Sequence, residues 1–202
     1  MESYPLPAYG TNVTLALFAN LGNAQQIKER LVAASTLPSD EAGNAERAAV
    51  EFAFIDAKSI TSRLHLLTAI SQALLAQSDR TLRTKTVQSE VLWLLEPGTA
   101  INDSLRHFGL SATTSHLVLV HFSSLQMKGS EVYDRMTAVV AGDLVSLDLL
   151  GTEKVGLNVK GLRKMYKLNQ DAALKDVEVG SEEERRVVDG LCTGAVALKV
   201  VT

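Results

Sequence analysis

Four histidines (His65, His107, His116 and His121) and one cysteine, Cys192, are the side chains of this sequence with the richest chemistry. A structural zinc site needs four thiolate or imidazole ligands arranged tetrahedrally, and one cysteine leaves too few sulfur ligands for the usual sets. His116 and His121 are five apart in the apolar run "HLVLVHF", which has strand character, so their side chains fall on opposite faces. They read as histidines at the ends of a strand. Cys192 has no histidine near it in sequence to draw off its proton and reads as a small buried thiol. Asp56, Glu90 and Asp103 are isolated carboxylates beside apolar text, expected as caps or solvated groups and not as acid–base catalysts. Walker, GxGxxG and GxSxG patterns do not occur. The expectation is a protein with no catalytic residues, no metal and no cofactor.

Two features do stand out as binding features. One is a basic stripe of Lys160, Arg163, Lys164 and Lys167, spaced i, i+3, i+4, i+7 on a predicted helix, with Arg80, Arg83 and Lys85 as further basic residues. A solvated helix face is the plainer reading and a phosphate-contacting patch the functional one. The other is a C-terminal helix in which Gly190 and Gly194 are four apart among apolar residues. Glycine in mid-helix costs about 1 kcal/mol against alanine, and close packing against another helix, inside the chain or across an interface, would offset it.

The elements that must carry these residues are interleaved. "VTLALFAN" (13–20) and "EFAFIDA" read as short strands. Ile27, Leu31 and Val32 line a helix, and 59–76 forms the strongest helical pattern, apolar over most of its circumference. "SEVLWLLEPG" reads as a strand stopped by Pro97-Gly98. Thr99 is the expected N-cap of a helix through Phe108, with Gly109 as a left-handed stop before the central strand "HLVLVHF". Helices follow at 130–140, at 159–168 and from Ser181, which forms a capping box with Glu184. Residues 35–47 read as a surface loop and 171–183 as a polar connection. The class is α/β or α+β, a single domain over 1–202 with one sheet of about three to five strands. Net charge is −3, from 20 basic and 23 acidic side chains, which disfavours unaided gripping of nucleic acid. One cysteine, no signal-peptide pattern and no apolar run of membrane length suggest a soluble intracellular protein.

The blocks "VTLALFANLGNAQQIKERL", "LRTKTVQSEVLWLLEPGTAINDSLRHFGLSATTSHLVLVHF", "VSLDLL" and "GLRKMYKLN" together resemble the kinase-binding subunits of the KEOPS (EKC) tRNA-modification complex, and a fungal member in particular. The likeness covers most of the chain from Val13 to Asn169. It implies a small, largely antiparallel sheet flanked by helices and a non-enzymatic role in nucleus and cytoplasm. The implied direct partner is the small atypical kinase/ATPase of the complex, which the subunit binds and stimulates; other subunits are met indirectly. It further implies help in recruiting tRNA by its 3′ end for threonylcarbamoylation of the adenosine beside the anticodon, and in fungi a link to telomere maintenance. On this resemblance Lys160, Arg163, Lys164 and Lys167, with Arg83 and Lys85, are expected to face tRNA, and Met165, Tyr166, Leu191, Ala195 and Leu198 to meet the kinase. The alternatives are a free-standing RNA-binding module and a small-molecule enzyme of unrecognised type.

Overall fold

The computed structural model describes residues 1–199. Within them lie strands β1 (Glu2–Leu6), β2 (Thr11–Ala19), β3 (Ala53–Asp56), β4 (Leu117–Ser124) and β5 (Asp143–Val145). The helices are α1 (Ala24–Thr36), α2 (Glu41–Ala49), α3 (Arg63–Ser78), α4 (Val87–Leu95), α5 (Ile101–His107), α6 (Gly129–Thr137), α7 (Val159–Met165) and α8 (Glu182–Leu198). The class is mixed α and β, as expected. The chain divides into two compact units, one of Met1–Asp56 with Gly109–Leu147, the other of Ala57–Phe108 with the chain from Asp148 onward.

The first unit holds the whole sheet, antiparallel throughout and ordered β1-β2-β4-β3. β2 is long enough to share one edge between two partners: β1 pairs with Thr11–Leu15 and β5 with Leu17–Ala19. Strand periodicity puts Ala16 and Phe18 of β2, Leu117 and Leu119 of β4 and Phe54 of β3 on one face. Ile27 of α1 and Val132 and Met136 of α6 close over them as one apolar cluster. Val118 and Val120, pointing the other way, are equally buried, so β4 is central, with both faces covered. Here one expectation fails. Residues 35–47 are not a loop throughout, because Asp40 accepts from the Gly43 amide (2.8 Å) and starts α2. Gly43 is required there: a Cβ would lie 2.1 Å from the Pro38 carbonyl oxygen. Turn-type residues at the cap mask the alanine-rich helix that follows.

The second unit is helical. α3 begins at Arg63, four residues later than predicted, because the Ser62 hydroxyl accepts from the His65 amide (3.0 Å) and fixes the cap. "SEVLWLL" is a helix, not a strand. Thr86 and Ser89 form a reciprocal capping box, and Val91, Leu94 and Leu95 are buried. Its apolar run covers nearly the full circumference, so its period carries no sign of helix or strand. α5 is capped by Ala100 and not by Thr99. Gly109 does not take the left-handed conformation; it continues extended and bridges Ile55.

Candidate partner-binding surfaces

α8 starts as predicted, with the Ser181 hydroxyl accepting from the Glu184 amide (3.0 Å). Glu184 does not return the bond to Ser181. Its carboxylate accepts from the Gly180 amide (2.7 Å) and pairs with Arg163 of α7. That pair is enclosed, the side chains being 17% and 3% exposed, and it clamps α7 onto α8. A second clamp runs through His65. Its Nδ1 accepts from the Thr61 amide (3.3 Å), which leaves Nε2–H to donate to the Tyr166 hydroxyl (3.2 Å). Tyr166 in turn donates to the Leu95 carbonyl at the end of α4. This backbone–imidazole–phenol–backbone chain works only with a neutral imidazole, and burial lowers the His65 pKa to about 4. Thr61 also donates to Asp189 of α8 (2.6 Å). Gly151 packs so closely on Thr61 that a Cβ would sit 1.8 Å from its carbonyl oxygen. These bonds fix the packing of α3, α4, α7 and α8 and so decide which side of α8 is left open.

The open side is the one with the glycines. Gly190 and Gly194 are deep in α8, yet a Cβ on either would meet nothing within 4 Å. Their cost in helix stability is therefore not offset by close packing against the described residues. Along the same exposed side lie Leu191, half-buried, Ala195, exposed, and Leu198, 61% exposed. Cys192 faces inward, where burial and the neighbouring Asp189 push its thiol up to about 12. Of the residues predicted for a kinase contact, Leu191, Ala195 and Leu198 share this face and Met165 is half-buried at the end of α7. Tyr166 is a correction. It is 8% exposed and spends its hydroxyl internally, so it supports the helices and has no surface to offer.

The basic stripe is also corrected. α7 stops at Met165, and Lys167 takes a left-handed conformation (φ 58°), so the four basic residues do not share one continuous helical face. Arg163 is committed to Glu184, while Lys160, Lys164 and Lys167 are exposed. Arg83 and Lys85, both exposed, line a separate groove of about 1150 Å³ with Ser89, Trp93, Thr99 and Lys199. The Lys199 ammonium lies 3.7 Å over the Trp93 ring and donates to the carbonyls of Trp93, Glu96 and Gly98, closing the C-terminal end of α4. Burial lowers its pKa to about 8 against the opposing pull of Glu96 and Glu90. A groove with exposed cations at its rim suits a phosphate-bearing ligand.

The histidines do not converge. His121 is buried against Phe52, with Nδ1 at the Glu51 carbonyl (3.3 Å), whereas His107 pairs with Glu96 (2.7 Å). No group of three or more histidine, cysteine or acidic side chains among the described residues could hold a metal ion. Sequence reasoning missed the burial of two carboxylates: Glu90 and Glu184 are 1% and 2% exposed, Glu90 accepting from the Arg83 and Thr84 amides and Glu184 pairing with Arg163. The available signal was an acid set inside apolar helical text, as in "SEVLWLL".

The described residues form a sheet unit and a helical unit, the latter with an exposed, partly apolar face on α8 and a groove lined by basic residues and Trp93. A family model described as kinase binding protein CGI-121 matches residues 18–200, and the chain belongs to that family. It is 32% identical to the EKC/KEOPS complex subunit CGI121 of Cryptococcus neoformans, over 93% of this chain and 96% of the relative. The subunit of the same name from Gibberella zeae is 31% identical over 97% and 95%. That of Schizosaccharomyces pombe is 28% identical over 79% and 83%.

Proposed function

We propose that this chain is the kinase-binding subunit of an EKC/KEOPS complex, that it catalyses nothing itself, and that the open face of α8 is where the kinase docks. The observation that carries the reading is the pair Gly190 and Gly194. They lower the intrinsic stability of α8, leave space in which an added Cβ would meet nothing within 4 Å among the described residues, and sit beside exposed Ala195 and Leu198. A helix of the kinase laid along this face could approach the α8 backbone closely and bury Leu191, Ala195 and Leu198. Binding there would stimulate the kinase by favouring one arrangement of its amino-terminal lobe. The test is co-purification of the small atypical kinase with Ala195→Glu and Leu198→Glu variants. Loss of the kinase with an unchanged melting curve is expected; retention of the kinase by both variants would refute the docking site.

The same proposal extends to tRNA recruitment through its 3′ end. The Arg83–Lys85–Trp93 groove supports this best, because it sets two exposed cations beside Lys199 and an indole in one concave surface. Lys160, Lys164 and Lys167 supply further exposed charge; Arg163 is left out because Glu184 already holds it. The mild net negative charge of the chain fits a contact shared with partners in the complex. Charge reversal at Arg83 and Lys85 together should weaken tRNA binding and flatten its salt dependence, and unchanged binding would remove the tRNA part of the reading.

A further inference from the structure

The segment between α3 and α4 has little regular structure of its own, yet it carries Arg83 and Lys85. Arg80 turns it with a left-handed φ of 57°, and the chain then runs "TLRTKT" to the cap of α4. Glu90, in the first turn of α4, reaches back beneath it. One carboxylate oxygen accepts from the Arg83 amide (3.1 Å); the other accepts from the amides of Arg83 (3.0 Å) and Thr84 (2.8 Å) and from the Thr84 hydroxyl (2.7 Å). Ser89 adds a hydroxyl bond to Thr84 (2.9 Å). Two successive backbone N–H groups converging on an anion form a nest, and here the anion is supplied by the chain itself.

A carboxylate 1% exposed is costly to bury and is tolerated only while its acceptors are filled. All the donors that fill Glu90 belong to the residue before Lys85 and to Arg83 itself. We infer that Glu90 is a positioning residue: its buried carboxylate holds the 83–85 segment in the conformation that sets Arg83 and Lys85 at the rim of the Trp93 groove, where they meet the phosphates of an RNA strand. This rests on the proposed tRNA contact at that groove. Charge alone argues for the opposite effect. An acid close to an RNA surface repels phosphate, so neutralising Glu90 without moving the loop would tighten binding. Glutamine keeps the shape but turns an NH2 group toward the loop amides, where donors face donors.

Binding of a tRNA transcript to the full-length chain, between 50 and 200 mM salt, separates the two effects. For Glu90→Gln the inference expects about tenfold weaker binding, a salt slope smaller by about two, and faster hydrogen exchange at the Arg83 and Thr84 amides. Kinase co-purification should be unchanged. Thr84→Val, which removes the hydroxyl's bond to Glu90 and the one it accepts from Ser89, should act in the same direction by about threefold and serves if Glu90→Gln does not fold. Equal or tighter tRNA binding by these variants, while Arg83→Glu with Lys85→Glu weakens it, overturns the positioning role and leaves the groove assignment standing. If the double charge reversal has no effect, the groove assignment falls and takes this inference with it.

Discussion

Replacing Gly190 and Gly194 with alanine should push stability and partner binding in opposite directions. Both glycines are in the interior of the 17-residue helix α8, where alanine is favoured by about 1 kcal/mol per site. The new methyl groups meet no atom within 4 Å, so nothing in the described chain opposes the gain. The double variant should therefore be more stable by about 2 kcal/mol, which for a chain of this size raises the melting temperature by roughly 4–8 °C. A kinase helix packed against a glycine face would be displaced by the same methyl groups. Overpacking of that kind costs about 1–3 kcal/mol, or roughly 5- to 150-fold in affinity. Calorimetric melting of the isolated chain and titration with the kinase read the two effects separately. A lower melting temperature would mean that the glycines are packed within the chain after all. Full kinase affinity in a stabilised variant would mean that partners dock elsewhere.

Acid should weaken the second unit through His65. The fold holds the neutral imidazole, with a pKa near 4 against about 6.5 unfolded, so its contribution is complete above pH 6.5 and is lost as the pH falls from there toward 4. The loss approaches about 3 kcal/mol. His121, also lowered by burial, acts in the same direction, so the contribution of His65 is the difference from a His65→Gln variant in denaturant midpoints at pH 7 and pH 5; equal pH dependence in the two would contradict it. Removing Glu184 with alanine strands the Arg163 guanidinium in an enclosed site and should cost about 3–5 kcal/mol. The apolar pair Arg163→Met with Glu184→Leu should recover much of that in thermal melts, and no recovery would assign the loss to the Gly180 bond instead.

Elements with one clear period were legible in the sequence. The buried stripe of α3 follows from apolar residues at helical spacing, whereas β2, β3 and β4, apolar at consecutive positions, are legible from their strand length and flanking turn residues. Ser181 is legible as a cap for a local reason, since the bond it accepts from the Glu184 amide spans three residues. "SEVLWLL" failed because an apolar run buried nearly all round has no period to read, and Gly109 failed because the bridge to Ile55 is non-local. The candidate surfaces were legible as residue types and not as geometry. The glycine pair was visible as an anomaly that needed a partner, whereas Arg163, Lys164 and Lys167 looked alike on a helical wheel.

From residue order alone came the mixed class, the central strand, the lack of a recognisable catalytic motif and the family likeness, all of which depend on local spacing or extended similarity. Tertiary packing alone decided that Arg163 turns to Glu184, that Tyr166 serves Leu95, that Glu90 lies under Arg83, and that Gly190 and Gly194 face open space. Each of these is a choice among partners brought close only by folding. A charged or aromatic side chain takes whichever partner best repays its loss of water, and sequence spacing does not say which that is.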